Sequence, residues 1–167
     1  MATDDLGYSD AYIADILGSV ATIAMVGASP EWVRPSYFAM KYLQSKGYRV
    51  IPVNPRAAGT EILGEQTCAD LASVPHKFQM VDIFRNSEAA GAIVDEAIPL
   101  IAEKGIQVIW MQLSVRNDAA AKRAEAAGLK IVMNRCPKIE YGRLFGELSW
   151  SGVNTKIISA KRQRLRR

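Results

Sequence analysis

Five short apolar runs recur along the chain, and the segments between them carry apolar residues at helical spacing. The runs cover residues 22–28, 49–53, 80–84, 107–113 and 130–134. They are rich in Val, Ile and Met with few polar interruptions, which is typical of strands that are covered on both faces. The pattern therefore predicts five buried strands.

Helices are predicted on both sides of these strands. They cover about residues 9–18, 36–46, 87–104, 117–127 and 139–147, with a brief helix at 69–73 and an extended piece at 61–63. Ser9 or Asp10 and Asn117 are suitable N-caps, and Pro99 should kink or split the third helix. Parallel neighbours need crossover connections, which helices usually supply. We therefore expect an α/β, Rossmann-like fold with a single five-stranded parallel sheet and helices on both faces.

The 167 residues suit one domain, which we place at residues 1–155, followed by a basic C-terminal tail at 156–167. The tail carries six cationic side chains and no acid; subtracting these from the net charge of +4 leaves −2 for residues 1–155. We expect the tail to be flexible and solvated, and we consider binding to nucleic acid unlikely.

The sequence argues against a membrane, secreted or zinc-binding protein. No apolar stretch approaches the ~20 residues that cross a bilayer, and the acidic N-terminus does not resemble a signal peptide. Cys68 and Cys136 do not form a CxxC pair, and the single His76 is expected at the surface. A cytoplasmic location fits best, with no metal site.

The turn after the first strand has the composition of a phosphate site. Its small residues are followed by a loop with a cation and a helix start, which together offer free backbone N–H groups and a favourable dipole. The candidate residues are Gly27, Ala28, Ser29, Arg34, Pro35 and Ser36. Ser29 and Trp32 stand where the dinucleotide fingerprint GxGxxG has its second and third glycines, so this turn departs from that fingerprint.

The end of the second strand distinguishes between nucleotides. An NAD site usually has an acidic residue there to bind the ribose 2′-hydroxyl, whereas this chain has Val53, Asn54 and Pro55 followed by Arg56. An adjacent cation without a carboxylate suits a phosphorylated ribose, as in NADP or coenzyme A. An NADP-binding, reductase-like protein is therefore one alternative at this point.

No catalytic constellation is visible at the predicted strand ends, so an enzyme is not expected. Cys136 is the one potentially reactive side chain there. Arg135 and Lys138 beside it could lower the pKa of its thiol, but we prefer the interpretation as a buried, inert cysteine.

Several motifs together resemble the small single-domain CoA-binding proteins, which are related to the N-terminal domain of the succinyl-CoA synthetase α subunit. The motifs are VGAS at 26–29, RPS at 34–36, VNP at 53–55, DIFR at 82–85, WMQL at 110–113 and NRCPKIEYGRL at 134–144. The resemblance as a whole covers about residues 13–148. Asn134 departs from the acid expected before Arg135, and Arg56 stands where relatives often have Lys.

The resemblance implies non-catalytic binding of coenzyme A or an acyl-CoA at the carboxyl ends of the strands, in a carrier, sensor or subunit role. A protein partner is possible. The length excludes a complete acyl-CoA synthetase, because there is no room for the ligase and grasp domains.

The resemblance also distributes the ligand over the predicted site. The pyrophosphate would bind at residues 27–29 and 34–36, and the 3′-phosphorylated ribose with adenine at residues 53–56, Phe84 and Arg85. The pantetheine arm would run toward Gln112 and Leu113, where its thiol would approach Cys136 and could form a mixed disulfide with it under oxidation.

Overall fold

Residues 5–146, which the computed structural model describes, form seven strands and six helices. The strands are β1 (Thr22–Val26), β2 (Arg49–Val53), β3 (Glu61–Ile62), β4 (Glu65–Gln66), β5 (Met80–Ile83), β6 (Val108–Met111) and β7 (Lys130–Val132). The helices are α1 (Asp10–Ser19), α2 (Pro35–Ser45), α3 (Ser87–Ala97), α4 (Ile101–Lys104), α5 (Asp118–Ala126) and α6 (Pro137–Phe145).

Five of the strands form one parallel sheet in the order β2-β1-β5-β6-β7, and β3 with β4 forms a separate antiparallel hairpin. The strand order reverses between β1 and β5, because the chain first moves to one side of β1 and then crosses to the other. Val26 is in register with Val53 of β2 and with Ile83 of β5. The crevice beyond these three strand ends is therefore the place where such a sheet binds its ligand.

The sheet is covered on both faces, which confirms the predicted fold class. One core contains α1, α2 and α6, and the other contains α3, α5 and the apolar residues of the segment before β5. Alternate residues of one strand serve the two cores: Met25 of β1 packs in the first, and Ala24 and Val26 pack in the second. Burial on both faces explains why these strands are nearly continuous apolar runs.

Most predicted elements are present with shorter strands, and Pro99 does split its helix. A 3-10 turn at Ile98–Leu100 separates α3 from α4. The brief helix predicted at 69–73 is wrong, since this segment contains only bends and turns. The N-caps Ser9 and Asn117 each accept a backbone hydrogen bond as expected. The boundary proposed between domain and tail lies outside the described residues.

The helical spacing of α2 predicts an apolar face formed by Phe38, Ala39, Tyr42 and Leu43, and this prediction is partly wrong. Ala39 and Leu43 are buried as expected, but Met40 belongs to the core and Phe38 is 49 % exposed. The buried stripe of α2 is thus rotated away from Phe38. This leaves a large aromatic side chain at the end of the helix nearest the strand ends.

Candidate functional site

The turn after β1 is shaped by Gly27. Its φ of +86° lies in the left-handed region, and a Cβ at this position would lie 2.3 Å from the carbonyl oxygen of Phe84. Its N–H donates to the carbonyl oxygen of Val53 at 2.8 Å. Only glycine allows the β1 turn to lie this close to the end of β5 while it remains bonded to β2.

The loop from this turn to α2 is held by serine side chains. The Ser29 N–H donates to Ser36 Oγ at 3.1 Å, and the Glu31 N–H donates to Ser29 Oγ at 3.1 Å. Helix α2 begins at Pro35, and no side chain caps its first turn. The N-terminus of α2 therefore faces the strand ends with the positive end of its dipole, which favours an anion there.

Asn54 joins the turns that follow β1 and β2. Its Nδ2 donates to the Ala28 carbonyl oxygen at 2.8 Å, and its Oδ1 accepts from the Arg56 N–H at 3.0 Å. Pro55 begins a 3-10 turn, Pro55–Ala57, that carries Arg56 outward. The side-chain amide of Asn54 thus holds the two turns together, and both of its polar atoms are hydrogen-bonded to the backbone.

These turns enclose a cavity of about 640 Å³, which we call the polar cavity. It is lined by nine residues of the predicted site: Gly27, Ser29, Arg34, Pro35, Ser36, Asn54, Arg56, Phe84 and Arg85. Arg34 pairs with Glu31 of the same loop at 3.0 Å. Within residues 5–146, the side chains of Arg56 and Arg85 have no acidic partner. The cavity therefore has the charge that suits an anionic ligand.

A second cavity of about 870 Å³, which we call the apolar cavity, continues from the first. Pro35, Phe84 and Arg85 line both cavities, so they form one groove along the carboxyl ends of β1, β5 and β6. Gln112, Leu113 and Cys136 of the predicted site line only the second cavity. The groove thus passes from a charged part to a mainly apolar part.

A buried carboxyl group lies beneath the apolar cavity. Asp82 is fully buried in β5, in register with Met25 and Trp110 of the neighbouring strands. Gln112 Nε2 donates to its Oδ1 at 3.1 Å. Burial raises the pKa of Asp82 to about 7, and the hydrogen bond from Gln112 opposes this only in part. In the sequence, Asp82 belongs to the DIFR motif at 82–85, but no local pattern indicates a role for its carboxyl group.

The expectation that flanking cations lower the pKa of the Cys136 thiol is wrong. Burial raises this pKa, and the nearby N–H groups of α6 and the charge of Lys138 compensate only partly. The guanidinium of Arg135 donates to the carbonyl oxygens of Leu6 and Asn134 instead. Cys136 thus lines the apolar cavity as a mainly protonated thiol at neutral pH.

Three of the predicted site residues do not line either cavity. Ala28 and Val53 are buried in the core, and Pro55 is exposed but lines neither cavity. The prediction missed apolar residues that do line the groove, among them Val33, Phe38, Val115 and Ile139. Of these, only Phe38 carries a signal in the sequence, and its helical spacing predicts a core residue.

In the described part of the chain, neither His76 nor a cluster of metal ligands adds to the groove. His76 is exposed and lies 3.1 Å from Arg49, remote from the groove. No cluster of three or more possible metal ligands occurs in residues 5–146. Of the helices in the same residues, none is long and apolar enough to cross a membrane.

Comparison with known proteins points to one family. A family model described as a CoA binding domain matches residues 21–142. The uncharacterized protein YneT of Bacillus subtilis (strain 168) is 31 % identical over 133 residues, which are 80 % of this chain and 94 % of that protein.

Two solved structures are similar in sequence and in fold. A hypothetical protein from Pyrococcus horikoshii OT3 is 39 % identical with a TM-score of 0.77, covering 86 % of this chain and 98 % of its own. Cell-free ID.343 from Thermus thermophilus is 32 % identical with a TM-score of 0.74, covering 83 % and 100 % respectively. These matches agree with the five-stranded Rossmann-like architecture.

Proposed function

The chain belongs to the CoA-binding domain family, and from this premise we propose that it binds coenzyme A or an acyl-CoA in the groove formed by the two cavities. The observation that carries the proposal is the continuity of a cationic cavity with an apolar one across Phe84 and Arg85. Coenzyme A has the same division, because its phosphorylated nucleotide is highly charged and its pantetheine arm is not.

The polar cavity supports the assignment of the phosphates. The N-terminus of α2, with Ser36 in its first turn, and the Arg34 guanidinium would hold the pyrophosphate. Arg34 must exchange its pair with Glu31 for the ligand, and since both side chains are more than half exposed this exchange costs little.

The two arginines without acidic partners would bind the rest of the nucleotide. Arg56, placed by Asn54 at the edge of the polar cavity, would contact the 3′-phosphate of the ribose. Arg85, which lines both cavities, lies where the adenine or the phosphate chain would turn toward the apolar part.

The pantetheine arm would follow β5 and β6 toward Gln112. Asp82 accepts from the Gln112 side-chain nitrogen, so the amide oxygen of Gln112 is left to accept from a pantetheine N–H. We assign no catalytic role to this site, since a nucleophile with an adjacent base is not found among the lining residues; a carrier, sensor or subunit role fits the binding groove.

The decisive experiment is a comparison of two ligands in two variants. Isothermal titration should show that wild-type protein binds CoA more tightly than dephospho-CoA by about 1.5–3 kcal/mol, the usual contribution of a charge-assisted hydrogen bond. Arg56→Ala should abolish this difference, because it removes the partner of the 3′-phosphate.

The control is Arg123→Ala, whose side chain pairs with Asp95 on the far face of the sheet and should keep the full preference. A preference that survives in Arg56→Ala would contradict the assignment of Arg56. Failure of CoA to bind would contradict the proposed function itself. Tighter binding of NADPH than of CoA would also contradict it and would favour the reductase-like alternative.

A further inference from the structure

Large exposed apolar side chains are concentrated at one place on the described surface. Among residues 5–146 they are Trp32, Val33, Phe38, Leu113 and Ile139. Four of the five line the apolar cavity, and Trp32 is the chain neighbour of one of them. Such clustering marks a binding surface, because single exposed apolar residues would otherwise be scattered.

The four side chains come from separate elements that meet at the strand ends. Val33 belongs to the loop before α2, and Phe38 to the first turns of that helix. Leu113 follows β6, next to Ser114 whose φ is +69°, and Ile139 lies in the first turn of α6. Because these segments are far apart along the chain, the packing of a single helix does not explain why they meet at one cavity.

The pantetheine arm accounts for only part of this lining. It contains two amides that require polar partners, and the polar side chains of the cavity are those of Arg85, Asn86, Gln112 and Lys138. Phe38, Leu113 and Ile139 offer nothing to an amide. The volume of about 870 Å³ also lies in the upper range of small-molecule sites, in addition to the 640 Å³ available to the nucleotide.

We propose that the part of the apolar cavity formed by Val33, Phe38, Leu113 and Ile139 binds the acyl chain of a CoA thioester, so that the ligand is an acyl-CoA with an aliphatic chain of several carbons. The inference rests on the proposed function, because the groove orients the pantetheine from the polar to the apolar cavity. A thioester at Gln112 and Cys136 would direct its acyl group toward these side chains.

The proposal predicts that affinity rises with the length of the acyl chain. Each buried methylene contributes up to about fourfold in affinity, so octanoyl-CoA should bind at least about tenfold more tightly than acetyl-CoA. The measurement is isothermal titration of wild-type protein with CoA and with acetyl-, butyryl-, hexanoyl- and octanoyl-CoA under one set of conditions.

Variants locate the effect. Ile139→Asn and Phe38→Ser, both at exposed positions, should reduce the ratio of octanoyl-CoA to acetyl-CoA affinity severalfold. Leu100→Ala, a half-buried aliphatic side chain after the carboxyl end of α3, should leave this ratio unchanged. The ratio is informative even if a variant also changes the binding of CoA itself.

The outcomes separate this inference from the proposed function. Equal affinity across the acyl series with measurable CoA binding overturns the acyl site and leaves CoA binding intact. Absence of binding for every thioester and for CoA overturns both. A flat series accompanied by dimers that dissociate in Phe38→Ser and Ile139→Asn would assign the apolar side chains to contact with a second copy of the chain.

Discussion

The ends of β1, β2 and β5 meet at Gly27, where there is no room for a side chain. The β1 turn, the Phe84 carbonyl and the Val53 carbonyl all meet around it. Gly27→Ala should therefore destabilise the protein by about 3–5 kcal/mol, since it combines a left-handed backbone with overpacking against a backbone atom. Urea denaturation followed by circular dichroism measures this directly.

Gly59→Ala is the matched control for this prediction. Gly59 has nearly the same φ, +85°, but a Cβ there would meet no atom within 4 Å. Its substitution should cost about 1 kcal/mol, from backbone strain alone. Equal losses in the two variants would show that the contact with Phe84 is not what requires glycine at position 27.

Two arginines of the polar cavity differ in whether their charge is already paired with a carboxylate. Arg34 and Arg56 are both exposed arginines near the strand ends. Arg34 already has an anion in Glu31, whereas no carboxylate in the described residues pairs with Arg56. Of these two arginines, only Arg56 therefore offers its full charge to a ligand without first giving up a partner.

At the scale of elements, the N-terminal segment protects the edge strand β7. Tyr12 Oη accepts from the Ile131 N–H and donates to the Ile131 carbonyl oxygen, and Tyr8 Oη accepts from the Met133 N–H. Tyr8 and Tyr12 also stack with ring centroids 5.8 Å apart. Side-chain hydroxyls thus bind the backbone groups that an edge strand would otherwise expose to another chain.

Strands β5 and β6 are coupled by the buried pair of Asp82 and Gln112. Because the pKa of Asp82 is raised to about 7 in the folded protein but lies near 3.9 in the unfolded chain, the folded state holds the extra proton between these values. Stability should therefore fall as pH rises from about 4 to 7 and become level above that.

The measurement is the free energy of unfolding of wild type and Asp82→Asn between pH 4 and pH 9. As pH rises from about 4 to 7, the free energy of unfolding of wild type should fall relative to that of Asp82→Asn by up to about 4 kcal/mol. Asp95→Asn, at an exposed ion pair with Arg123, should show no such shift. A constant difference between wild type and Asp82→Asn at every pH would contradict the raised pKa.

For the whole molecule, charge is distributed unevenly. Residues 1–155 carry a formal net charge of −2, yet three arginines line the polar cavity against one glutamate. A cationic cavity in an acidic domain should attract a polyanion locally, and salt should screen that attraction.

The affinity for CoA should accordingly weaken about tenfold between 0.05 M and 0.5 M NaCl, a change that a thermal-shift titration or calorimetry can follow. Deletion of residues 156–167 removes six cationic side chains that are not among the residues of the proposed site, and it should leave the dependence unchanged. A salt dependence that disappears with the tail would transfer the phosphate binding from the cavity to the tail.

The predicted sheet, its parallel strands and the helices on both faces follow from patterns that are local along the chain. A strand covered on both faces must be apolar throughout, and a helix that covers it must repeat its apolar residues at helical spacing. The caps Ser9 and Asn117 and the break at Pro99 are equally local, because each acts on backbone groups within a few residues. The candidate site residues at the strand ends could be identified by the same reasoning, because parallel strands have their carboxyl ends at one edge of the sheet.

Only the tertiary structure decided which apolar side chains line the groove and how burial changes the pKa values of the acidic and thiol groups near it. Phe38 looks like a core residue in sequence, but the packing of its helix places it at the apolar cavity together with Ile139. Cys136 has cationic neighbours in sequence, but burial raises the pKa of its thiol, and Asp82 gains its raised pKa from strands far away along the chain. Periodicity reports which face of an element is apolar, whereas exposure, desolvation and the partner of each charge depend on segments that only folding brings together.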